Sequence, residues 1–269
     1  MKFFLDTANI DEIKEGFKAG VLDGVTTNPS LIKKEVDAGR ASDIVSHIKT
    51  ILSVAGNKPV SLEVECLPAD EMIKQALKLY KLFSTKENHI VIKIPFNPTL
   101  DMNKPMHFEG VKAIRTLTSQ GISVNVTLIF TPEQALIAAK AGATYVSPFA
   151  GRIDDLLRKK KGSSAKKEEY YPEEGVENKE IIVDDNGIVS GVHLVEEIAI
   201  ILDNYKFKTE IIASSIRNAR QAREVALVGS HIATIPMYVL KDMAIHQKSL
   251  DGAIAFTNDT VEEYAKLMR

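Results

Sequence analysis

The sequence predicts a (β/α)8 barrel, and two observations support this fold class. Short apolar runs alternate with stretches of helical periodicity, and this pair of elements repeats eight times along the 269 residues. Eight β/α pairs in about 250 residues are the number and length at which a parallel sheet closes into a barrel. The composition, 45% hydrophobic and 26% charged, is that of one large α/β domain, although two ordinary domains would also fit the length.

An open, doubly wound parallel sheet is the alternative topology. Sheets of that kind often bind a dinucleotide at a Gly-x-Gly-x-x-Gly turn between a strand and the following helix. No such turn follows any predicted strand of this sequence. The barrel is therefore preferred, and no dinucleotide cofactor is expected.

Each predicted strand is a short apolar or β-branched run, and each predicted helix has apolar residues at helical spacing on a polar background. Lys2–Asp6 ends in a carboxylate and is followed by the helical pattern of Ile10–Lys18, and Gly24–Thr26 leads through Asn28 and Pro29 into a second helical stretch. The remaining strand and helix pairs are, in order, Val60–Val64 with Ala69–Phe83, Ile90–Ile94 with Gly110–Thr118, Ser123–Phe130 with Pro132–Ala141, Tyr145–Pro148 with Val192–Tyr205, Glu210–Ala213 with Asn218–Val228, and Ile232–Ile235 with Met237–His246.

One stretch interrupts the alternation between the sixth strand and its helix, and we call it the charged segment, residues 158–187. It contains a basic block followed by an acidic one, RKKKGSSAKKEEYYPEEGVENKE, without an apolar period. Such composition predicts a solvated, mobile insertion in a single domain that spans residues 1–269. Ile181–Val189 is predicted to close the segment as a small hairpin, because Asn186-Gly187 suits a type I′ turn.

Charge and cysteine content indicate a small-molecule partner. Lys and Arg number 34 against 36 Asp and Glu, a net charge of -2 that gives no basic field for nucleic acid or an anionic membrane. The single cysteine, Cys66, excludes an internal disulfide and suggests a reducing compartment. The apolar run in MKFFLDT is too short for a signal peptide, and no stretch has the roughly 18 apolar residues of a membrane helix. We expect a cytoplasmic protein.

Lys93 stands in HIVIKIP, residues 89–95, a run that otherwise reads as a buried β-strand. Burial disfavours the ammonium form, so a lysine in such a strand can be held as a free amine, the nucleophile that forms Schiff bases with carbonyl compounds. The alternative is that the strand ends near Lys93, before Pro95, and that the amine reaches water. For Lys93 alone, this alternative is preferred.

The ends of the other predicted strands also carry polar side chains, and in a parallel barrel these ends meet at one mouth. In order they offer Asp6, Asn28, Glu63, Lys93, Asn125 with Thr127, Ser147, and Ser215 with Arg217, whereas the eighth (IATIP) is mainly apolar. An amine, carboxylates and neutral donors in one mouth can form an imine and move protons around it. Arg152 and Arg217 flank the corner where barrels usually bind phosphate, and guanidinium groups bind phosphate in bidentate fashion.

These residues stand in motifs that resemble a known family. The motifs are LDTAN at 5–9, DGVTTNPSLI at 23–32, VIKIP at 91–95, NVTLIF at 125–130, AGATYVSPFAGRIDD at 141–155 and IIASSIRN at 211–218. They are similar to those of the transaldolases, in particular the short subfamily shared with the fructose-6-phosphate aldolases. The resemblance spans nearly the whole chain and implies a (β/α)8 barrel of the class I aldolase type.

The resemblance also implies roles for the strand-end residues. Lys93 would be the Schiff-base lysine, Asp6 the general acid/base at the C4 hydroxyl, and Glu63 with Thr127 the holders of a proton-shuttling water. The residues implied to bind the dihydroxyacetone portion are Asn28, Asn125 and Ser147, and those implied to bind the phosphate are Arg152, Ser215 and Arg217. No metal or other cofactor is needed, since the iminium itself accepts the electrons of the broken C–C bond.

Two positions favour a transaldolase over an aldolase. Aldolases of the family typically carry Gln where this chain has Glu63, and Tyr where it has Phe149. A phenol at position 149 helps water and protons act on the intermediate, which a phenylalanine cannot do. A fructose-6-phosphate aldolase remains the alternative, as do a catalytically silent sugar-phosphate-binding relative and a scaffold that recruits partners through the charged segment.

Two further expectations concern assembly and the charged segment. Short-subfamily members form pentamers or decamers in which the C-terminal helix lies on a neighbour, so a homo-oligomer with a helix at Asp259–Met268 is expected. The charged segment is longer than the resemblance predicts. Because it begins beside Arg152, it is also a candidate lid over the phosphate.

Overall fold

Eight parallel strands close into a barrel in the computed structural model, which describes residues 1–178 and 181–268. The barrel strands are β1 (Lys2–Asp6), β2 (Gly24–Thr26), β3 (Pro59–Glu63), β4 (His89–Pro95), β5 (Val124–Ile129), β6 (Tyr145–Pro148), β9 (Glu210–Ala213) and β10 (Ile232–Ile235). Two short strands, β7 (Glu177–Asn178) and β8 (Ile181–Ile182), form a separate two-stranded sheet. The barrel order is β1-β10-β9-β6-β5-β4-β3-β2, and β1 pairs with both β2 and β10. The predicted (β/α)8 barrel is therefore confirmed, and the open sheet is excluded.

Helices surround the barrel. They are α1 (Ile10–Lys18), α2 (Pro29–Asp37), α3 (Ile44–Ala55), α4 (Ala69–Phe83), α5 (Glu109–Ser119), α6 (Pro132–Lys140), α7 (Ala150–Lys161), α8 (Gly191–Asn204), α9 (Ala219–Leu227), α10 (Met237–Met243), α11 (Gln247–Asn258) and α12 (Glu262–Leu267). Helix α12 lies within the predicted C-terminal helix. None of the described helices is long and apolar enough to cross a membrane.

Polar caps fix where several of these helices begin. Asn28 precedes α2, and its side-chain oxygen accepts the Leu31 N–H at 2.9 Å. Ser190 and Asn218 cap α8 and α9 in the same way. Such a cap satisfies one of the N–H groups that a helix leaves without a partner in its first turn, so these residues also end the loops at the mouth of the barrel.

Two apolar layers lie on either side of the strands. The larger one fills the space between the barrel and its helices. The smaller one consists of Phe4, Val91, Tyr145, Ile212 and Ile232, buried together inside the barrel. Because side chains alternate along a strand, the residue two positions further on faces the same interior, one layer nearer the strand ends. That next layer is polar on every one of these strands, and its members are Asp6, Lys93, Ser147, Ser214 and Thr234.

The charged segment differs from the predicted mobile excursion. Its first four residues form the last turn of α7, which starts immediately after β6, so the predicted helix at 192–205 is the second helix in this connection. Tyr171 is buried at 5% exposure, and the Arg158 guanidinium lies 5.3 Å from the centre of its ring. The sequence of the segment has no apolar period because Tyr170 and Tyr171, rather than one face of a helix, attach it to the helices around the barrel.

The end of the charged segment contains the predicted turn. Asn186 and Gly187 both have positive φ, 54° and 84°, and Asp185 pairs with Ile188 across them. These values are those of a type I′ turn, for which Asn-Gly is the preferred sequence. The predicted partner strands are different, because β8 pairs with β7 rather than with the residues after the turn. Residues 179–180, also predicted to be in the insertion, lie outside the described residues.

Candidate active site

A cavity of about 580 Å³ opens at the carboxyl ends of the barrel strands. It is lined by Asp6, Thr26, Asn28, Leu31, Lys93, Ser147, Phe149, Arg152, Lys167, Glu168, Ser214, Ser215, Ile216, Arg217, Thr234, Pro236 and Tyr238. All the predicted site residues border it except Glu63, Asn125 and Thr127. Glu63 lies on β3 and the other two lie on β5, the two strands that flank β4 and its Lys93. One cavity thus brings together the predicted amine, a carboxylate and both arginines.

Lys93 is buried at the base of this cavity. Its side chain is 6% exposed, and its Nζ lies 3.0 Å from Glu63 Oε2. The pair forms because Glu63 and Lys93 are register partners on β3 and β4. The alternative that the strand ends at Lys93 and the amine reaches water is wrong, since β4 continues to Pro95.

Asp6 is oriented by a chain of two hydroxyl groups. Thr26 Oγ1 donates to Asp6 Oδ1 at 2.7 Å, and the hydroxyls of Thr26 and Thr234 lie 2.5 Å apart. Because Thr26 gives its proton to Asp6, Thr234 must be the donor between the two threonines. Thr234 lies on the eighth barrel strand, which the sequence predicted to be mainly apolar; it is buried and contributes to the cavity wall.

A second polar group lies on the strands next to Lys93. Asn125 is the register partner of Lys93, and Ser147 Oγ donates to Asn125 Oδ1 at 2.7 Å. The Asn125 amide donates to Ser61 Oγ at 3.3 Å. Thr127, two residues further along β5, has a fully buried hydroxyl for which the described residues supply no hydrogen-bond partner. A buried hydroxyl without a protein partner can bind a water molecule.

Arg152 and Arg217 border the cavity at the ends of β6 and β9. Arg217 Nη2 lies 3.2 Å from Asp155 Oδ2, which fixes the guanidinium, while its buried Nε finds no partner among the described residues. The Arg152 guanidinium lies 5.0 Å from the centre of the Phe149 ring, a cation–π distance. The two arginines therefore present donor groups to the cavity with little internal competition for them.

The backbone at this corner is tightly constrained. Ser215 has φ 62°, in the left-handed region that non-glycine residues seldom adopt. A Cβ atom on Gly151 would lie 2.1 Å from the Ser215 carbonyl oxygen, so only glycine allows α7 to begin this close to the Ser215 turn. Strained backbone of this kind is concentrated at functional sites.

A buried carboxyl group holds the helices behind the two arginines. Asp154 accepts hydrogen bonds from the Gly191 N–H and from Gln221 Nε2, both at 2.7 Å, and so ties α7 to the start of α8 and to α9. Burial raises the pKa of Asp154 to about 7, although the Gly191 hydrogen bond and the charge of Arg158 act in the opposite direction. Asp154 was not among the predicted site residues, because it positions helices rather than facing the cavity.

Several residues of the cavity wall were also not predicted, including Thr26, Thr234, Ser214 and Tyr238. The two threonines and the serine could have been found from the alternation of side chains, since each lies two positions beyond an inward-facing residue of its strand. Tyr238 belongs to α10 and donates a hydrogen bond to the Arg217 carbonyl oxygen at 3.0 Å. Nothing in the local sequence indicates that contact.

Within the described residues, no three His, Cys, Asp or Glu side chains are grouped so as to hold a metal ion. The polar groups of the cavity are instead one amine, carboxylates, hydroxyls and guanidinium groups.

Comparisons with known proteins agree with the sequence motifs. The family model described as Transaldolase/Fructose-6-phosphate aldolase matches residues 3–268. Proteins named "Probable transaldolase" from Desulfosudis oleivorans and Desulforapulum autotrophicum are 46% and 45% identical over 259 residues, 96% of this chain and 97% of each relative. One of that name from Kosmotoga olearia is 41% identical over 266 residues, 99% of this chain and 98% of the relative.

Among solved structures, the thiamine phosphate pyrophosphorylase from Pyrococcus furiosus is 13% identical with a TM-score of 0.47, and the match covers 87% of this chain and 85% of that one. This similarity is too low to bear on function. The family model and the curated relatives confirm the predicted resemblance: the chain belongs to the transaldolase/fructose-6-phosphate aldolase family.

Proposed function

We propose that the protein is a transaldolase that moves a dihydroxyacetone unit from a ketose phosphate to an aldose phosphate through a Schiff base on Lys93. Membership of the family supports an aldolase-type enzyme. The observation that carries the proposal is the buried Lys93 amine at the base of the cavity, 3.0 Å from the Glu63 carboxylate. The donors would be fructose 6-phosphate or sedoheptulose 7-phosphate, as in the cytoplasmic, non-oxidative pentose phosphate pathway.

In the first step the Lys93 ammonium gives a proton to Glu63, and the free amine adds to the C2 carbonyl of the ketose phosphate. The resulting carbinolamine loses its C2 hydroxyl as water, which requires a proton, and an iminium remains. Glu63 and a water molecule held by the Thr127 hydroxyl would return that proton. The buried Thr127 hydroxyl without a described partner supports this role, since it has a hydrogen bond to offer.

In the second step Asp6 takes the proton of the C4 hydroxyl. The C4–O bond becomes the aldehyde of the departing aldose phosphate, and the electron pair of the C3–C4 bond moves into the iminium, which becomes a neutral enamine. The hydrogen bond from Thr26 holds the Asp6 carboxylate towards the cavity. Asn28, Asn125 and Ser147 would hold the hydroxyls of the three-carbon unit during this exchange.

The phosphate would bind at the corner formed by Arg152, Ser215 and Arg217. Arg217 is held by Asp155, so its guanidinium is ordered before the substrate arrives. A fixed guanidinium loses less conformational entropy on binding phosphate than a free one. The Arg217 Nε, which has no hydrogen-bond partner among the described residues, adds a donor that an anion can satisfy.

The enamine then either attacks an acceptor aldehyde or takes a proton and leaves, which separates a transaldolase from an aldolase. Phe149 lines the cavity and packs against Phe130, with ring centres 5.7 Å apart. Neither ring can donate a proton to the enamine. We therefore propose that the enamine persists until an aldose phosphate arrives, and that Glu63 favours this outcome.

A time course of glyceraldehyde 3-phosphate release from fructose 6-phosphate tests the proposal. With concentrated enzyme and no acceptor, we expect a burst near one equivalent per chain that then stalls, and release that resumes when erythrose 4-phosphate is added. Phe149→Tyr is the matched variant and should leak product steadily without an acceptor. Steady release by the unmodified protein would make it an aldolase, and no release on either condition would refute the proposed reaction.

We further propose that the protein is a homo-oligomer, a pentamer or decamer. Helices α11 and α12 contain no buried residue, and they expose Ile254 at 53%, Phe256 at 79% and Leu267 at 83%. Apolar side chains grouped on one terminal arm are typical of a surface that another chain covers. Sedimentation velocity should therefore give a mass several times 29.6 kDa. A monomer at micromolar concentration would contradict this proposal.

A further inference from the structure

Two residues of the charged segment, Lys167 and Glu168, line the cavity. Neither is part of the motifs that resemble the family. The side chains of Lys167 and Glu168 are 60% and 51% exposed, so both lie at the mouth of the cavity rather than at its base. The charged segment therefore contributes one positive and one negative group to the entrance of the site.

The backbone beside Lys167 is held at two points. Asn218 Nδ2 donates to the Glu168 carbonyl oxygen at 3.2 Å, and Arg158 Nη2 donates to the Glu169 carbonyl oxygen at 2.6 Å. Asn218 directly follows Arg217 in the chain, so the first of these bonds fixes the segment next to the phosphate corner. The position of the Lys167 backbone relative to Arg217 is consequently defined.

Two tyrosines hold the rest of the segment. The Tyr170 hydroxyl donates to Glu224 Oε1 at 2.9 Å, and the Arg220 guanidinium lies 3.6 Å from the centre of its ring. Tyr171 is buried next to Arg158. The segment at this point is thus a fixed part of the cavity wall, attached to α7 and α9.

The Lys167 side chain itself is weakly held. Its Nζ is 3.7 Å from Glu168 Oε1, a long, exposed ion pair of the kind that contributes little. A lysine ammonium on a four-carbon stem can follow an anion over several ångströms, whereas the Arg217 guanidinium is tied to Asp155. The site therefore combines an inner, fixed cation with an outer, adjustable one.

We infer that Lys167 is a specificity residue that binds the phosphate of the longer ketose phosphate. This inference rests on the proposed function. With C2 bonded to Lys93, a seven-carbon ketose phosphate carries its phosphate one carbon further towards the mouth than a six-carbon one does. Arg152 and Arg217 bind the phosphate of the six-carbon ketose phosphate. The Lys167 ammonium breaks its ion pair with Glu168 and binds the phosphate of the seven-carbon one. A phosphate dianion attracts the ammonium more strongly than the single charge of Glu168 does.

The test uses probes that bind but cannot react. Reducing fructose 6-phosphate and sedoheptulose 7-phosphate to their alditols removes the carbonyl, so these probes form no imine and their binding is independent of catalysis. In calorimetry, Lys167→Ala should weaken binding of the seven-carbon alditol phosphate by about tenfold and that of the six-carbon one by less than about threefold. Glu168→Gln should tighten both, because it removes a competing anion.

Lys166→Ala is the matched control, since Lys166 is an exposed neighbour that does not line the cavity. It should change neither affinity, and Lys167→Arg should restore most of the lost binding. In turnover, Lys167→Ala should raise KM for sedoheptulose 7-phosphate and leave kcat unchanged. Equal losses for the two alditol phosphates, or the same loss in Lys166→Ala, would overturn the inference. If the alditol phosphates bind as expected but no ketose phosphate is turned over, the proposed function fails while this site stands.

Discussion

Replacing Lys93 with methionine is expected to lower turnover of fructose 6-phosphate by on the order of 10⁴-fold or more, because Lys93 supplies the amine at the base of the cavity. Lys167, the other lysine among the described lining residues, is 60% exposed at the mouth. Methionine has a similar length and fills the buried position without an amine. Mass spectrometry after borohydride treatment in the presence of fructose 6-phosphate should find a reduced three-carbon adduct on Lys93 of the unmodified protein. The variant should show no adduct.

The control for this experiment must separate chemistry from folding. Removing Lys93 leaves Glu63, whose side chain is 13% exposed, as a carboxylate without its ion-pair partner. Breaking a buried ion pair in this way costs about 3–5 kcal/mol. The double variant Lys93→Met with Glu63→Gln removes the unpaired charge, and we expect it to regain much of the lost Tm while staying inactive. An adduct on another lysine would refute the assignment of Lys93.

The barrel could be predicted because its strands and helices have different periods in the sequence. Runs such as VIKIP and NVTLIF contain β-branched residues in strand-length blocks, and the helices between them repeat apolar residues at helical spacing. Helix α3 was not predicted as a separate element, although Gly39 with positive φ after α2 and the N-cap Asp43 mark the boundary between the two helices. Helix α11 was not predicted because none of its residues is buried, so it does not need the apolar face by which a helix is recognised.

The candidate site could be predicted where a polar residue interrupts an apolar strand. Lys93 and Asn125 stand out in this way, and the structure brings them together as register partners. Thr234 could not be recognised by composition, because a threonine is an ordinary strand residue. Its effect depends on Thr26, which is 208 positions away in the chain and becomes a neighbour only when the barrel closes.

The contacts of the charged segment could not be predicted from its composition. Its composition predicts disorder, yet Tyr170 and Tyr171 attach it to charged residues of α7 and α9. Cation–π contacts and hydrogen bonds to backbone carbonyls, such as that from Arg158 to Glu169, have no periodic signal in the sequence. Lys167 therefore entered the candidate site only when the fold was known.

Asp6→Asn is expected to separate imine formation from C–C cleavage. Asparagine keeps the oxygen that accepts the Thr26 hydrogen bond, so the side chain should retain its orientation. Without a base at the C4 hydroxyl, we expect cleavage to slow by about 10²–10⁴-fold, the usual contribution of general acid–base catalysis. Lys93 and Glu63 are unchanged in this variant, and the iminium should still form.

The adduct that borohydride traps distinguishes these two steps. In the unmodified protein the trapped species should have three carbons, because cleavage precedes reduction. In Asp6→Asn the mass should instead correspond to the intact six-carbon ketose phosphate on Lys93. Asp37→Asn, an exposed carboxylate on α2, is the matched control and should trap three carbons at the normal rate. A three-carbon adduct in Asp6→Asn at the unmodified rate would show that another group removes the proton of the C4 hydroxyl. Because Thr26 donates the hydrogen bond that orients Asp6, Thr26→Val should give a mixture of the two adducts.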